Sequence, residues 1–365
     1  MNRQEIIDLF QKNYIAQRIG LCSANCLLLN SCLDNWEQPH RYYHNMNHLS
    51  FLLEQIRSPS PKKELLEILS LFHDVIYDPH FSNNEIDSIA FLQSSSLLDT
   101  KNPYVEQIFD SIRDTAYEGK EFLNPDLSSI FCSAAMDLHS LRSIYPTEIR
   151  NTEIALLKEF QFMNYPNYRQ KRLDFLQNFK KKLGKNSEIK KEFGYPPISG
   201  NMIDFITNYK PKIAVYAGSF NPFHLGHMDI LEQAEKIFDK VIIACGVNSE
   251  KKESINIRNA DKVLPFHEVI CYDCLLTDLI KKIDYADVTL IRGLRSGYDL
   301  EYEMNQLRTL RDMNMTIPVI YFFCNKDTAH ISSSMIRGLT TFKNANFRQY
   351  IPNKFDYAKK IGGNS

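Results

Sequence analysis

The stretch Ile213-Ala214-Val215-Tyr216-Ala217-Gly218-Ser219-Phe220-Asn221-Pro222-Phe223-His224-Leu225-Gly226-His227 decides the fold of the second half of this chain. Its apolar opening, Ile213 to Tyr216, predicts a buried strand. Met228 to Ala234, just beyond it, has the apolar spacing of an amphipathic helix. A strand, a tight glycine-containing turn and a helix that opens on two histidines make an anion site. Free backbone N–H groups and the positive end of the helix dipole face the turn, and the imidazoles can donate to phosphate oxygens. Gly226 carries no Cβ, which would let a ligand phosphate approach the backbone. The plainer alternative is that the two histidines only cap the helix.

From Lys212 onward short β-rich runs alternate with helical ones. Ile213–Tyr216, Val241–Cys245, Val288–Ile291 and Val319–Phe323 are the expected strands, which implies a parallel sheet covered on both faces. Four polar segments follow expected strands: Val247 to Lys252, Arg292-Gly293-Leu294-Arg295, Asp299-Leu300-Glu301-Tyr302-Glu303, and Ser332-Ser333-Ser334 with Arg337. Open α/β sheets place ligands at the carboxyl ends of their strands. Lys251, Arg292 and Arg295 can neutralise a polyphosphate there, and serine hydroxyls with helix N–H groups can hold its oxygens.

The His224-Leu225-Gly226-His227 run resembles the (H/T)xGH signature of the nucleotidylyltransferase superfamily. Together and in this order, the segments over roughly residues 211–360 look like the phosphopantetheine adenylyltransferase family, with Arg-Gly-Leu-Arg plus Asp-Leu-Glu-Tyr-Glu as the most specific part. The resemblance implies a Rossmann-like domain that joins 4′-phosphopantetheine to the AMP part of ATP, releasing pyrophosphate. Carried over by position, Ser219 and His227 flank the α-phosphate, and His227 stabilises the transition state with help from Lys251. Lys251 and Arg292 hold the acceptor's phosphate and Leu276 lines its arm. Phe220, His224, Gly293, Leu294, Arg295, Glu303 and the stretch Thr328 to Ser334, with Ser332, Ser333 and Ser334 in it, bind ATP, which comes with magnesium. No protein nucleophile is needed, because the acceptor phosphate attacks directly. The family usually has Asp where Asn221 stands and Thr where His224 stands. The HLGH form is closer to nicotinate mononucleotide adenylyltransferases, which are the alternative reading.

The chain up to about residue 180 reads as helices, among them Glu64 to Phe72 and Ile149 to Phe162. It carries Tyr43-His44-Asn45-Met46-Asn47-His48, then Phe72-His73-Asp74, then Asn83-Asn84-Glu85, then Met136-Asp137-Leu138. His44 and His48, four apart, would share one helix face. Two histidines and two aspartates drawn from three helices can surround a divalent metal. This pattern looks like the HD superfamily of metal-dependent phosphohydrolases, over about residues 1–195. The resemblance implies His48, His73, Asp74 and Asp137 as ligands, His44 as general acid, and Asn84 and Glu85 as support behind the ligands. The alternative is a metal- or nucleotide-binding module that regulates the transferase.

The expected whole is therefore a multidomain α plus α/β protein. An all-α HD-type domain spans 1–200 and a parallel-sheet nucleotidylyltransferase domain spans 210–365, with the boundary between about 195 and 210. A net charge of −1 gives no electrostatic reason to propose nucleic acid as a partner. No apolar run reaches membrane-spanning length and the start, Met1-Asn2-Arg3-Gln4-Glu5, is too polar for a signal peptide. Eight scattered cysteines suit a reducing cytoplasm, and Cys271-x-x-Cys274 lacks a second pair at zinc-site spacing. Expected partners are ATP and 4′-phosphopantetheine, with a homo-oligomer allowed.

Overall fold

Asparagines start several helices of the N-terminal half. In the computed structural model, which describes residues 1–56, 62–117, 121–131, 139–183, 200–247, 259–313, 316–342 and 345–352, Asn2 and Glu5 form a reciprocal cap, and Asn13, Asn45 and Asn102 each accept a backbone N–H of the turn that follows. The helices are α1 (Arg3–Lys12), α2 (Tyr14–Arg18), α3 (Ser23–Trp36), α4 (Met46–Gln55), α5 (Lys63–Phe72) and α6 (Asn84–Ser94). They continue with α7 (Pro103–Asp114), α8 (Pro125–Phe131), α9 (Pro146–Glu159), α10 (Tyr165–Leu183) and α11 (Gly200–Asn208). Every residue of α5 from Leu65 to Phe72 is buried, as its sequence demands. It anchors an apolar core with Phe10, Trp36, Leu49, Phe109 and Phe131. A second cluster, including Tyr117, Ile149, Leu176, Phe179 and Met202, closes the other part of this helical unit.

The described chain divides into two units, Met1–Glu159 with Arg169–Asn208, and Phe160–Tyr168 with the chain from Tyr209 onward. The second unit thus borrows a segment that the sequence assigns to the first domain. Lys240, buried at the start of a central strand, is the reason. Its ammonium donates to the carbonyls of Gln161 and Met163 and pairs with Glu268 at 3.0 Å. Glu235, also buried, accepts from Gln161 Nε2 at 3.1 Å and faces His267 Nε2 at 2.6 Å. Buried charges need partners, and Gln161 and Met163 supply them.

The second unit alternates β1 (Lys212–Gly218), α12 (Leu225–Glu235), β2 (Lys240–Gly246), α13 (Ala260–Val263), β3 (Glu268–Tyr272) and α14 (Leu276–Lys281). Then come β4 (Asp287–Leu294), α15 (Gly297–Asp312), β5 (Val319–Phe323) and α16 (Ser333–Leu339). All pairings are parallel, in the order β3-β2-β1-β4-β5. The four expected strands are present, and β3 is an addition. As an edge strand with a partly exposed, mixed sequence it lacks the apolar run that marks β1 and β2. Tyr216 is registered to Ile243 on one side and Ile291 on the other, so β1 is central. From β1 the chain passes to β2, and from β4 it passes the opposite way to β5. A crevice opens where those connections diverge. No described helix is long and apolar enough to cross a membrane.

Candidate active site

A cleft of about 510 Å³ lies at that divergence, walled by the ends of β1 and β4 and by the starts of α12, α15 and α16. His224 caps α12: its Nδ1 accepts the Gly226 N–H at 3.1 Å, while His227 Nδ1 accepts the His224 N–H at 3.2 Å. The two rings stack with centroids 3.6 Å apart. Each Nδ1 is an acceptor, so the hydrogen-bond network assigns each ring's single hydrogen to Nε2. Burial, reinforced by the Arg295 charge, pushes His224 down to about 4. Burial, His224 and Arg295 push His227 down as well. Both rings are therefore neutral donors near pH 7. Capping and donation, set against each other in the sequence, coexist on different ring nitrogens. Gly226 serves a different purpose from the one expected. A Cβ there would meet His224 Cε1 at 3.1 Å and the Thr328 carbonyl at 3.4 Å, so protein fills that space.

Three guanidinium groups stand around the rings. Arg292, on β4, donates to the Ala217 carbonyl and its Nε lies 3.3 Å from Glu303. Burial raises the Glu303 carboxyl against the pull of Arg292. Asp299 grips Arg295 through Nε and Nη2, both at 3.0 Å, and through its backbone N–H at 2.8 Å. Arg337, on α16, donates to the Asn221 carbonyl, and Ser333 donates to Pro222 O at 2.9 Å. Asp229 of α12 accepts the Asn325 N–H at 2.6 Å, the Asn325 amide and the Thr328 hydroxyl at 3.1 Å, tying the loop after β5 to the histidine helix. Charge, neutral donors and hydroxyls converge, as a polyanion requires.

Of the residues singled out in the sequence, Ser219, Phe220, His224, His227, Arg292, Gly293, Arg295, Glu303, Ser332, Ser333 and Ser334 line this cleft. The Phe220 ring is buried between Tyr216 and His227, so it backs the site. Leu294 is buried and Leu276 opens α14, both outside the cleft lining. Lys251 lies outside the described residues. Asp229 and Asn325 were given no role by the sequence, and Arg337 was marked only as part of the serine segment. Their roles depend on loops that meet only in the fold, although Arg337 sits three residues after the serine run.

In the helical unit, His48, His73 and Asp74 bring one ligand atom each to within 4.8 Å of one another. His48 is the third residue of α4, and His73 ends α5 with Asp74 following. His44, expected on one helix face with His48, instead precedes the helix. The Asn45 side chain accepts the N–H groups of Asn47 and His48 and starts α4 after it. The His44 ring still reaches the group, with Nε2 4.0 Å from Asp74 Oδ2. Burial alone would raise the Asp74 carboxyl, but His73, His44 and His48 hold it well below the usual carboxylate range. Arg41, stacked between Trp36 and Tyr77, donates to the carbonyls of Asp74 at 2.7 Å and Val75 at 3.1 Å, fixing the backbone there. Asn84, expected behind the ligands, bonds Asp78 and Phe81 backbone and ties its own loop. Asp137 lies outside the described residues.

Glu159 is the main residue of this unit that the sequence left unmarked. Its carboxylate accepts the backbone N–H groups of Tyr43 and His44, His44 Nδ1 and the Tyr77 hydroxyl, at 2.7–2.8 Å. The available signal was an acid that shares the buried face of its helix with Ile149, Leu156 and Leu157.

Comparison with known proteins bears on the second unit. A family model described as cytidylyltransferase-like matches residues 215–339. The phosphopantetheine adenylyltransferase of Buchnera aphidicola is 32% identical over 155 residues, 40% of this chain and 92% of that protein. The enzyme of the same name from Mycoplasma capricolum is 37% identical over 139 residues, 36% of this chain and 99% of that protein. The solved structure of a candidate nicotinate-nucleotide adenylyltransferase from Vibrio parahaemolyticus is 20% identical and covers 42% of this chain and 94% of that one, with a TM-score of 0.29.

Proposed function

The C-terminal part of this chain belongs to the phosphopantetheine adenylyltransferase family, and from that premise we propose that it transfers the adenylyl group of ATP to 4′-phosphopantetheine. A phosphate oxygen of the acceptor attacks the α-phosphorus, the bond to the β-phosphate oxygen breaks, and pyrophosphate leaves with that bonding pair. The nucleotide enters as its magnesium complex. The observation that carries this reading is the pair of neutral, Nδ1-capped histidines beside Arg292, Arg295 and Arg337. His227 Nε2–H donates to the non-bridging oxygens as charge grows on them, and needs no reorganisation because Nδ1 is already engaged. Arg292 and Lys251 hold the acceptor's phosphate, Leu276 lines its arm, and Arg295 with Ser332, Ser333 and Ser334 holds the nucleotide. Incubating the full chain with magnesium ATP and either 4′-phosphopantetheine or nicotinate mononucleotide tests it. Pyrophosphate release is expected with the first and little with the second; the reverse preference would reject the acceptor and keep the adenylyl transfer.

A second reading concerns the helical unit, where His48, His73 and Asp74 converge. His73 Nδ1 bonds the Ser70 carbonyl at 3.0 Å and so carries a hydrogen, which turns the Nε2 lone pair toward Asp74 Oδ2 at 3.1 Å. Two acceptors at that distance call for a proton or a cation between them, and the donor set suits a divalent transition metal. We propose a metal-dependent phosphohydrolase with His48, His73, Asp74 and Asp137 as ligands. A divalent ion held there supplies activated water near neutral pH. As an imidazolium, bonded through Nδ1–H to Glu159, His44 holds on Nε2 the proton that a leaving oxygen takes up. Elemental analysis of the full chain and a phosphodiester and nucleotide hydrolysis screen test it. Bound metal without hydrolysis would favour the regulatory-module alternative.

A further inference from the structure

Four donors converge on one carboxylate in the helical unit. Glu159, whose side chain has no solvent exposure, takes the N–H of Tyr43 at 2.7 Å and of His44 at 2.8 Å on Oε1. Its Oε2 faces His44 Nδ1 and the Tyr77 hydroxyl, both at 2.8 Å. An ionised carboxylate offers about four lone-pair sites, so this one is fully engaged and cannot turn to other partners. Main chain and ring of His44 are gripped by the same group. Ring packing fixes the remaining freedom: Tyr77 lies 4.3 Å away at 34° and Tyr43 4.9 Å away at 85°, centroid to centroid. The side chain of His44 keeps 20% of its surface open, and its other nitrogen lies 4.0 Å from Asp74 Oδ2.

We propose that Glu159 is the positioning residue for His44, fixing the imidazole with its hydrogen on Nδ1 so that Nε2 is presented to Asp74 and the His48–His73 cluster. The assignment of His44 as proton donor, which this deepens, rests on the metal-site reading above. A carboxylate can only accept, so the bond at Nδ1 leaves the ring one tautomer when neutral and stabilises the imidazolium when charged. Burial alone would raise the Glu159 carboxyl, but the His44 charge and the hydrogen bonds from His44 and Tyr43 hold it below the ordinary range, which keeps it an acceptor. A merely structural ion pair would require neither the open edge of the ring nor its orientation toward Asp74. Tyr77, bonded to the same Oε2 and packed at a tilt against the ring, completes the mount.

The test is nuclear magnetic resonance of the metal-free, full-length protein labelled with ¹⁵N-histidine, the His44 signals being assigned by their loss in His44→Gln. The wild-type ring is expected to carry its hydrogen on Nδ1. In Glu159→Gln the amide oxygen stays with the two backbone N–H groups and the amide NH₂ faces Nδ1, so the ring hydrogen moves to Nε2. Manganese(II) uptake, read by calorimetry, should be equal in both proteins because His48, His73 and Asp74 are untouched. If Glu159→Gln does not fold, Tyr77→Phe removes only the competing donor, and the His44 Nδ1–H signal should move downfield as its bond to Oε2 strengthens. A wild-type ring protonated only at Nε2, a tautomer unchanged in Glu159→Gln, or an unmoved signal in Tyr77→Phe overturns the proposal. Absence of manganese uptake by the wild type instead refutes the metal-site reading, while the His44 signature still decides the role of Glu159.

Discussion

Replacing His224 by asparagine separates the two roles that the fold gives this residue. Asparagine is a strong N-cap and can accept the Gly226 N–H in place of Nδ1, but it does not titrate. The ordinary histidine value is 6.5 and burial with Arg295 brings His224 to about 4. Between those values the unfolded chain binds a proton on this ring and the folded chain does not. Stability therefore falls as pH drops from 6.5 toward 4, and levels off below. At about 1.4 kcal/mol per pH unit, the loss across the window is on the order of 3 kcal/mol. The only tryptophan, Trp36, belongs to the helical unit, so its fluorescence follows the wrong transition. Hydrogen exchange of the β1 amides, measured by mass spectrometry on the full chain, follows the right one. Wild-type β1 should lose protection across this window, and His224→Asn should lose less by about that energy. The carboxylates remain in both proteins and cancel in the difference, and the part of the His227 depression that His224 causes is relieved in the variant, which widens the difference. Equal pH slopes in the two proteins would refute the neutral, buried state assigned to His224.

Three further outcomes are expected. Removing a preorganised donor costs about 10²–10³ in rate, so His227→Gln should lower turnover by roughly that factor with a smaller change in ATP affinity, measured by pyrophosphate release and nucleotide titration. Gly293→Ala places a Cβ 2.9 Å from Ile230 Cγ1 on α12, and overpacking of this kind costs about 1–3 kcal/mol, read as a lower Tm of the second unit. His73→Ala should lower the divalent metal content found by elemental analysis, while adenylyl transfer, built from residues beyond Tyr209, stays near the wild-type rate. Loss of transfer from a folded His73→Ala protein would reject the independence of the two sites.

The sequence alone determined the central strands, the parallel sheet and most of the cleft. Ile213 to Ala217 and Val241 to Cys245 are continuous apolar runs because both faces of the sheet are covered. Their site residues follow directly in the chain, so strand end, glycine turn and histidines could be read together. The edge strand β3 escaped because an exposed strand needs no apolar run. Tertiary structure decided what lies between distant segments. His224 and His227 show by sequence that an imidazole pair opens a helix, but only the capping geometry sets which nitrogen bears the hydrogen. Asp229 meets Asn325 and Thr328 across almost a hundred residues, and Glu159 meets His44 across 115. Lys240 draws Phe160–Tyr168 into the second unit because a buried ammonium must find acceptors wherever the chain can supply them. Local pattern encodes burial and helix ends through short-range spacing. Buried charges are satisfied by whichever partner the packed chain brings near, and that choice exists only once the chain has folded.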